Sequence, residues 1–157
     1  MAPGGRRRYV ERMSDDEAIS EARARPFDAA AQIAAAYACD RAGDEERAVG
    51  FYDAAWRLGV PKAERADFVI GYGSTLRNVG RVDESISVLA ELLAQEPENH
   101  AARCFHALAL HSAGRGARAV AELLEVVVAL RTASTHVTKY ERALSLYAGA
   151  LRDDDAR

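Results

Sequence analysis

Three glycines, Gly43, Gly80 and Gly114, stand 37 and 34 residues apart, and their neighbours superimpose. Seven residues before them lie Ala36, Gly73 and Ala107, and four before lie Cys39, Leu76 and Leu110. Five after lie Ala48, Ser85 and Ala119, nine after Tyr52, Leu89 and Leu123, and twelve after Ala55, Leu92 and Val126. Such a period restricts the chain to a few architectures, because each unit must bury its apolar face against the next. Small residues at fixed offsets let two helices approach closely, and larger apolar residues beside them fill the seam. Each glycine stands where a helix stops and reverses, a place that often needs positive φ. Pro61 and Pro97 close the first two units. The first carries three extra residues around Pro61.

Composition agrees with this reading. The chain has 157 residues, with 33 alanines but only 11 glycines and 4 prolines, a helical balance and not a turn-rich β one. Apolar residues make up 49% and charged residues 29%, ordinary globular values. The net charge of −3 offers no basic field for nucleic acid or a membrane surface. No apolar run is long enough to span a bilayer. The basic start, Arg6 to Arg8, lacks the apolar stretch of a secretory signal. A cytoplasmic location is expected, with Cys39 and Cys104 as buried thiols.

The periodicity predicts helices over 27–42, 45–58, 62–79, 82–95, 98–113 and 116–131. Ser14-Asp15-Asp16-Glu17 has the form of a capping box opening a short helix to about Ala24. Thr138-Lys139-Tyr140-Glu141 repeats that form and predicts a last helix to about Leu151. Its stripe of Tyr140, Ala143, Leu144, Tyr147 and Leu151 is expected to cover the apolar end of the third unit. Domain organisation follows: a basic tail over 1–13, with Met13 an alternative start, one helical domain over 14–152, and an acidic tail over 153–157. Asp153 to Asp155 oppose the dipole at a helix C-terminus, so fraying is expected there.

The repeated positions resemble the tetratricopeptide repeat over about 30–131. The stretches from Gly73 to Gly80, Leu108 to His111, and Tyr140 to Ala143 with Tyr147-Ala148 are similar to a family of small bacterial tetratricopeptide proteins with no assigned role, reaching about residue 151. The resemblance implies an all-α, right-handed solenoid of about three helix pairs with a flanking helix at each end. It also implies a non-catalytic module that binds a peptide or helix of a partner on the first helices of its units. Equivalent positions there are Tyr37, Asp40 and Arg41, then Ser74, Arg77 and Asn78, then Leu108, His111 and Ser112. An arginine grips a carboxylate through two hydrogen bonds and an asparagine amide takes a peptide backbone, so an acidic or C-terminal segment is the expected ligand. Asp40 held by Arg41 or Arg77 is the alternative that would make these charges structural. The peptide-carboxylate clamp of chaperone cofactors needs lysine and asparagine where this chain has Ile33 and Tyr37. Chaperone C-termini are therefore not the expected ligand. A homodimer formed through an edge of the repeat is the other functional reading.

Catalytic signatures are missing. There is no Walker loop, GxSxG or HExxH, and Gly71-Tyr72-Gly73 falls inside a helical pattern. His100, Cys104 and His111 share a helical stripe, but eleven residues span about 16 Å, too far for one ion. The paired acids at Asp15-Asp16, Asp44 to Glu46 and Asp83-Glu84 sit where helices begin and complement the dipole. Trp56 falls in an apolar stripe and reads as packing. No enzyme, cofactor or metal is expected.

Overall fold

The computed structural model describes residues 13–131 and 135–154; residues 1–12 of the expected basic tail over 1–13 and 155–157 of the expected acidic tail over 153–157 lie outside them. Eight α-helices occur among the described residues: α1 (Asp15–Ala24), α2 (Ala29–Arg41), α3 (Glu45–Leu58), α4 (Arg65–Asn78), α5 (Val82–Gln95), α6 (His100–Ser112), α7 (Gly116–Ala129) and α8 (Thr135–Asp154). They gather into two compact units, one up to Thr75 and one from Leu76, with the boundary inside α4.

Local chemistry sets the helix ends. Ser14 Oγ accepts from Glu17 N–H at 3.3 Å, and Glu17 Oε2 accepts from Ser14 N–H at 2.8 Å, a complete capping box. These bonds hold the Glu17 carboxyl below its usual range. Asp28, Asp44 and Asn99 cap α2, α3 and α6 through side-chain oxygens. The extra residues around Pro61 form a 3₁₀ turn, Lys62–Glu64, so α4 starts three residues later than the pattern predicts.

The three glycine turns share one construction. Gly43, Gly80 and Gly114 have φ of 71°, 83° and 79°, which only glycine adopts at low cost. The amide after each closes on the carbonyl five residues back: Asp44 on Cys39 at 3.0 Å, Arg81 on Leu76 at 2.8 Å and Arg115 on Leu110 at 2.9 Å. These bonds satisfy carbonyls that a helix end would otherwise leave orphaned.

The seams match the repeat. Ala36, Ala48, Gly73, Ser85, Ala107 and Ala119 are all buried. So are Cys39, Tyr52, Ala55, Leu76, Leu89, Leu92, Leu110 and Val126. Leu123 departs at 38% exposure, because Glu122 takes the inward position beside it on α7. In the first unit α1 packs on α2 and α2 on α3; in the second, α5 to α8 pack in sequence.

The first unit also holds a ring cluster. Tyr52 lies edge-on to Phe68 at 5.2 Å and stacks on Tyr72 at 5.5 Å, while Trp56 lies parallel to Phe68 at 6.3 Å. Arg65 sits over the Trp56 ring at 5.1 Å, and Trp56 also packs against Phe68 and Tyr72.

The last helix differs from expectation in three ways. It runs from Thr135 to Asp154, so Thr138 is interior and donates its hydroxyl to the Arg131 carbonyl at 3.4 Å instead of capping. Asp153 and Asp154 belong to it, and Arg152 beside them pairs with Glu125. It docks on α7 through a face rotated part of a turn from the predicted stripe, with Leu144 and Leu151 half-buried. Ala148 is buried, Glu141 pairs with Arg131 at 3.0 Å, and Tyr140 and Tyr147 of the predicted stripe stand exposed.

Candidate contact surface on the first helices of the repeats

In the first unit, α2 carries Tyr37, Asp40 and Arg41 near its C-terminus. Asp40 is held by hydroxyls and not by either arginine: Tyr52 donates to Oδ2 at 2.5 Å and Thr75 Oγ1 lies 2.9 Å from Oδ1. The expected pairing of Asp40 with Arg41 or Arg77 is thereby replaced. A short, inflexible carboxylate facing a buried phenol and a β-branched alcohol finds neutral donors nearer than a long guanidinium. Arg41 reaches instead to Asp15 of α1, at 2.5 Å. Burial pushes the Tyr52 phenol far up, helped by its bond to Asp40. Tyr37 is partly buried, edge-on to Tyr52 at 6.1 Å. Its phenol is pushed up to about 12, first by burial and then by the charges of Glu64, Asp67 and Asp40. The surroundings of Tyr37 are thus electronegative. Ser74, on α4, is partly buried.

The second unit offers a different set. Arg77 and Asn78 are the last residues of α4. Asn78 is exposed, whereas Arg77 is partly buried with an Nε–H that is shielded from solvent and has no hydrogen-bond partner. Leu108, at 42% exposure, shares the last turns of α6 with exposed His111 and Ser112. The structure therefore separates the predicted residues. Asp40 is held by internal hydrogen bonds, Arg41 is exposed and paired with Asp15, and Asn78, Leu108, His111 and Ser112 are open to solvent.

One polar pair escaped the sequence reading. His106 Nδ1 and Glu122 Oε2 lie 2.8 Å apart between α6 and α7, both side chains only 6% exposed. Arg118 Nε stands 3.8 Å from the other Glu122 oxygen. The signal was available: Glu122 shares its spacing with Ala119 and Val126, and His106 adjoins Ala107 on the inward side. A second such bond joins Tyr72 Oη to Asp53 at 2.6 Å in the first unit.

Among the described residues, no group of three or more His, Cys, Asp or Glu side chains converges as metal ligands would. Cys39 and Cys104 are free thiols; Cys39 is buried as expected, which pushes its thiol up, whereas Cys104 is only partly buried. A cleft of about 250 Å³ lies between α7 and α8, lined by Glu125, Val128, Ala129, Ser145 and Ala148. None of these belongs to the expected contact set. No helix among the described residues is long and apolar enough to cross a membrane.

Helix pairs joined by identical glycine turns, with small residues at each seam, define an all-α helical-repeat protein. The family model described as Tetratrico peptide repeat matches residues 29–151, and the chain belongs to that family. Repeats of this family generally mediate protein–protein interaction. Nothing matches among curated proteins or among solved structures.

Proposed function

We propose that this chain is a non-catalytic, cytoplasmic binding module that takes an acidic or C-terminal peptide segment of a partner protein, without cofactor, nucleic acid or membrane. The observation that carries this reading is Arg77. Arg41, Arg81, Arg103 and Arg152 are each held by a carboxylate. Arg77 has no ion pair among the described residues and a buried Nε–H with no acceptor. A ligand carboxylate that reached this partly buried guanidinium would pair with it through charge-assisted hydrogen bonds. Asn78 beside it would take peptide backbone, and Leu108, His111 and Ser112 would add apolar and polar contact. Tyr37, Asp40, Arg41 and Ser74 would then contribute less. The carboxylates around Tyr37 repel an acidic ligand, which favours the second unit as its main contact.

The test is partner capture by the wild-type chain and by Arg77→Ala and Asn78→Ala. Loss of captured protein with no fall in Tm is the expected result, because Arg77→Ala removes an unsatisfied buried donor and Asn78 is exposed. Unchanged capture by both variants would end the assignment to these residues. A second reading, self-association, is favoured by a separate observation. The second unit leaves Leu130 52% and Tyr147 65% exposed.

A further inference from the structure

Of the helices in the second unit, α8 buries least. The positions it turns inward, Val137, Glu141, Leu144, Ala148 and Leu151, follow at spacings of four and three, yet only Ala148 is buried and the rest are half-buried. Every other described position from Thr138 to Asp153 is exposed. By contrast, α6 buries five of its 13 residues, and α1, the helix at the other end of the chain, buries three of ten. An alanine at the centre of the seam lets the two backbones approach but removes little apolar area from water. The cleft of about 250 Å³ opens in this same seam, between Glu125, Val128 and Ala129 of α7 and Ser145 and Ala148 of α8. The one buried contact therefore has open space beside it.

Ion pairs supply the rest of the hold. Arg131, just past α7, meets Glu141 at 3.0 Å towards one end of the seam, and Arg152 meets Glu125 towards the other. Glu141 and Arg152 are about 16 Å apart along the helix. The four side chains are 33 to 45% exposed, so salt screens both pairs and each contributes little alone. The neighbouring seam is built differently. There α6 and α7 share buried Ala107, Leu110 and Ala119, and the His106–Glu122 contact at 2.8 Å is only 6% exposed. Arg103 of α6 also stands 3.6 Å from Glu125, so that carboxylate keeps a partner without Arg152.

We propose that α8 is an ionic strap, which undocks from α7 as one element while α6 and α7 stay paired. Undocking uncovers the side of α7 that carries Ala121, Glu125 and Val128. The strap is latched by charge at both ends and thinly packed between them, so ionic strength sets the open fraction. Elements with few buried apolar contacts open separately from the rest of a fold, at a lower cost than global unfolding. Helices owe most of their stability to packing, so the amides of α8 lose protection when it leaves. None of the seam residues belongs to the expected contact set on α2, α4 and α6, so this opening is separable from the binding reading.

Thiol labelling of Ala148→Cys in the full chain tests this, with the buried Cys39 of α2 as internal reference and mass spectrometry to locate the label. The thiol introduced at 148 should label at least about tenfold faster than Cys39, whose exposure needs the first unit to open. Its rate should rise several-fold in about 1 M NaCl, and likewise in the Arg131→Gln/Arg152→Gln background at low salt, with Cys39 unchanged. A thiol at 148 that labels no faster than Cys39, or whose rate ignores both salt and the two substitutions, would overturn the strap. Hydrogen exchange of the unmodified chain repeats the test without a substitution at the seam. Exchange in α8 that is faster than in α6 and quickened by salt is the expected result. Exchange of α8 in step with α6, or indifferent to salt, would overturn the proposal.

Discussion

Gly71→Ala adds one methyl group and sets two effects against each other. Gly71 lies inside α4, where alanine is favoured over glycine by about 1 kcal/mol. Against this, a Cβ at Gly71 would stand 2.5 Å from the Tyr52 hydroxyl oxygen. Tyr52 cannot easily give way. It is fully buried, bonded to Asp40 at 2.5 Å, and packed against Tyr37, Phe68 and Tyr72. Overpacking of this kind costs about 1–3 kcal/mol, so the substitution should be net destabilising by up to about 2 kcal/mol. Tyr52→Phe removes the clashing oxygen, and the next atom, the ring carbon that bore it, lies at 3.3 Å. That change alone should cost about 1 kcal/mol, the worth of one hydrogen bond, since Asp40 keeps its contact with Thr75. In the Tyr52→Phe background, Gly71→Ala should become neutral or stabilising by up to about 1 kcal/mol. Urea denaturation of the four proteins, followed by circular dichroism, measures this coupling. An equal cost of Gly71→Ala in both backgrounds would refute the claim that the hydroxyl sets the glycine requirement.

Three further outcomes are expected. His106→Leu or Glu122→Leu strands a polar partner at 6% exposure and should cost about 1–3 kcal/mol. The double change should cost less than the sum of the two, by at least about 1 kcal/mol in a thermal-unfolding cycle. Ala48→Leu and Ala119→Leu, at buried seams, should each cost about 1–3 kcal/mol, and an unchanged Tm would contradict the helix pairing. Tyr37 ionises near 12 in the folded chain and near 10 when unfolded. Its contribution to stability is therefore complete below pH 10 and is lost as pH rises from 10 to 12. Denaturation at stepped alkaline pH should show Tyr37→Phe losing less stability than wild type across that window.

The repeat was legible because its cause is local and recurs. Gly43, Gly80 and Gly114 each mark a turn needing positive φ, and Ala48, Ser85 and Ala119 mark seams where bulk cannot fit. Capping chemistry located α1 from Ser14 and Glu17 alone. Rotation of a helix about its axis was less legible. On α8, Tyr140 and Tyr147 stand exposed while Ala148 is buried, and Glu141 and Arg152 find partners in Arg131 and Glu125 that no local pattern reveals. The same limit hid the roles of Asp40 and Glu122. Each acid reads as a surface residue until Tyr52 and Thr75, or His106, are brought beside it by packing. The expected contact set was legible as positions on the first helices. Which of those side chains were free to meet a partner depended on internal contacts such as Asp40 with Tyr52 and Thr75.

The most direct measurement of the binding account is a hydrogen-exchange footprint of the chain with a captured partner bound. Slower exchange should appear at the end of α4 around Arg77 and Asn78, and along α6 through Leu108 and His111, and should vanish in Arg77→Ala. Protection confined to α7 and α8, with the ends of α4 and α6 exchanging as in the free chain, would contradict it.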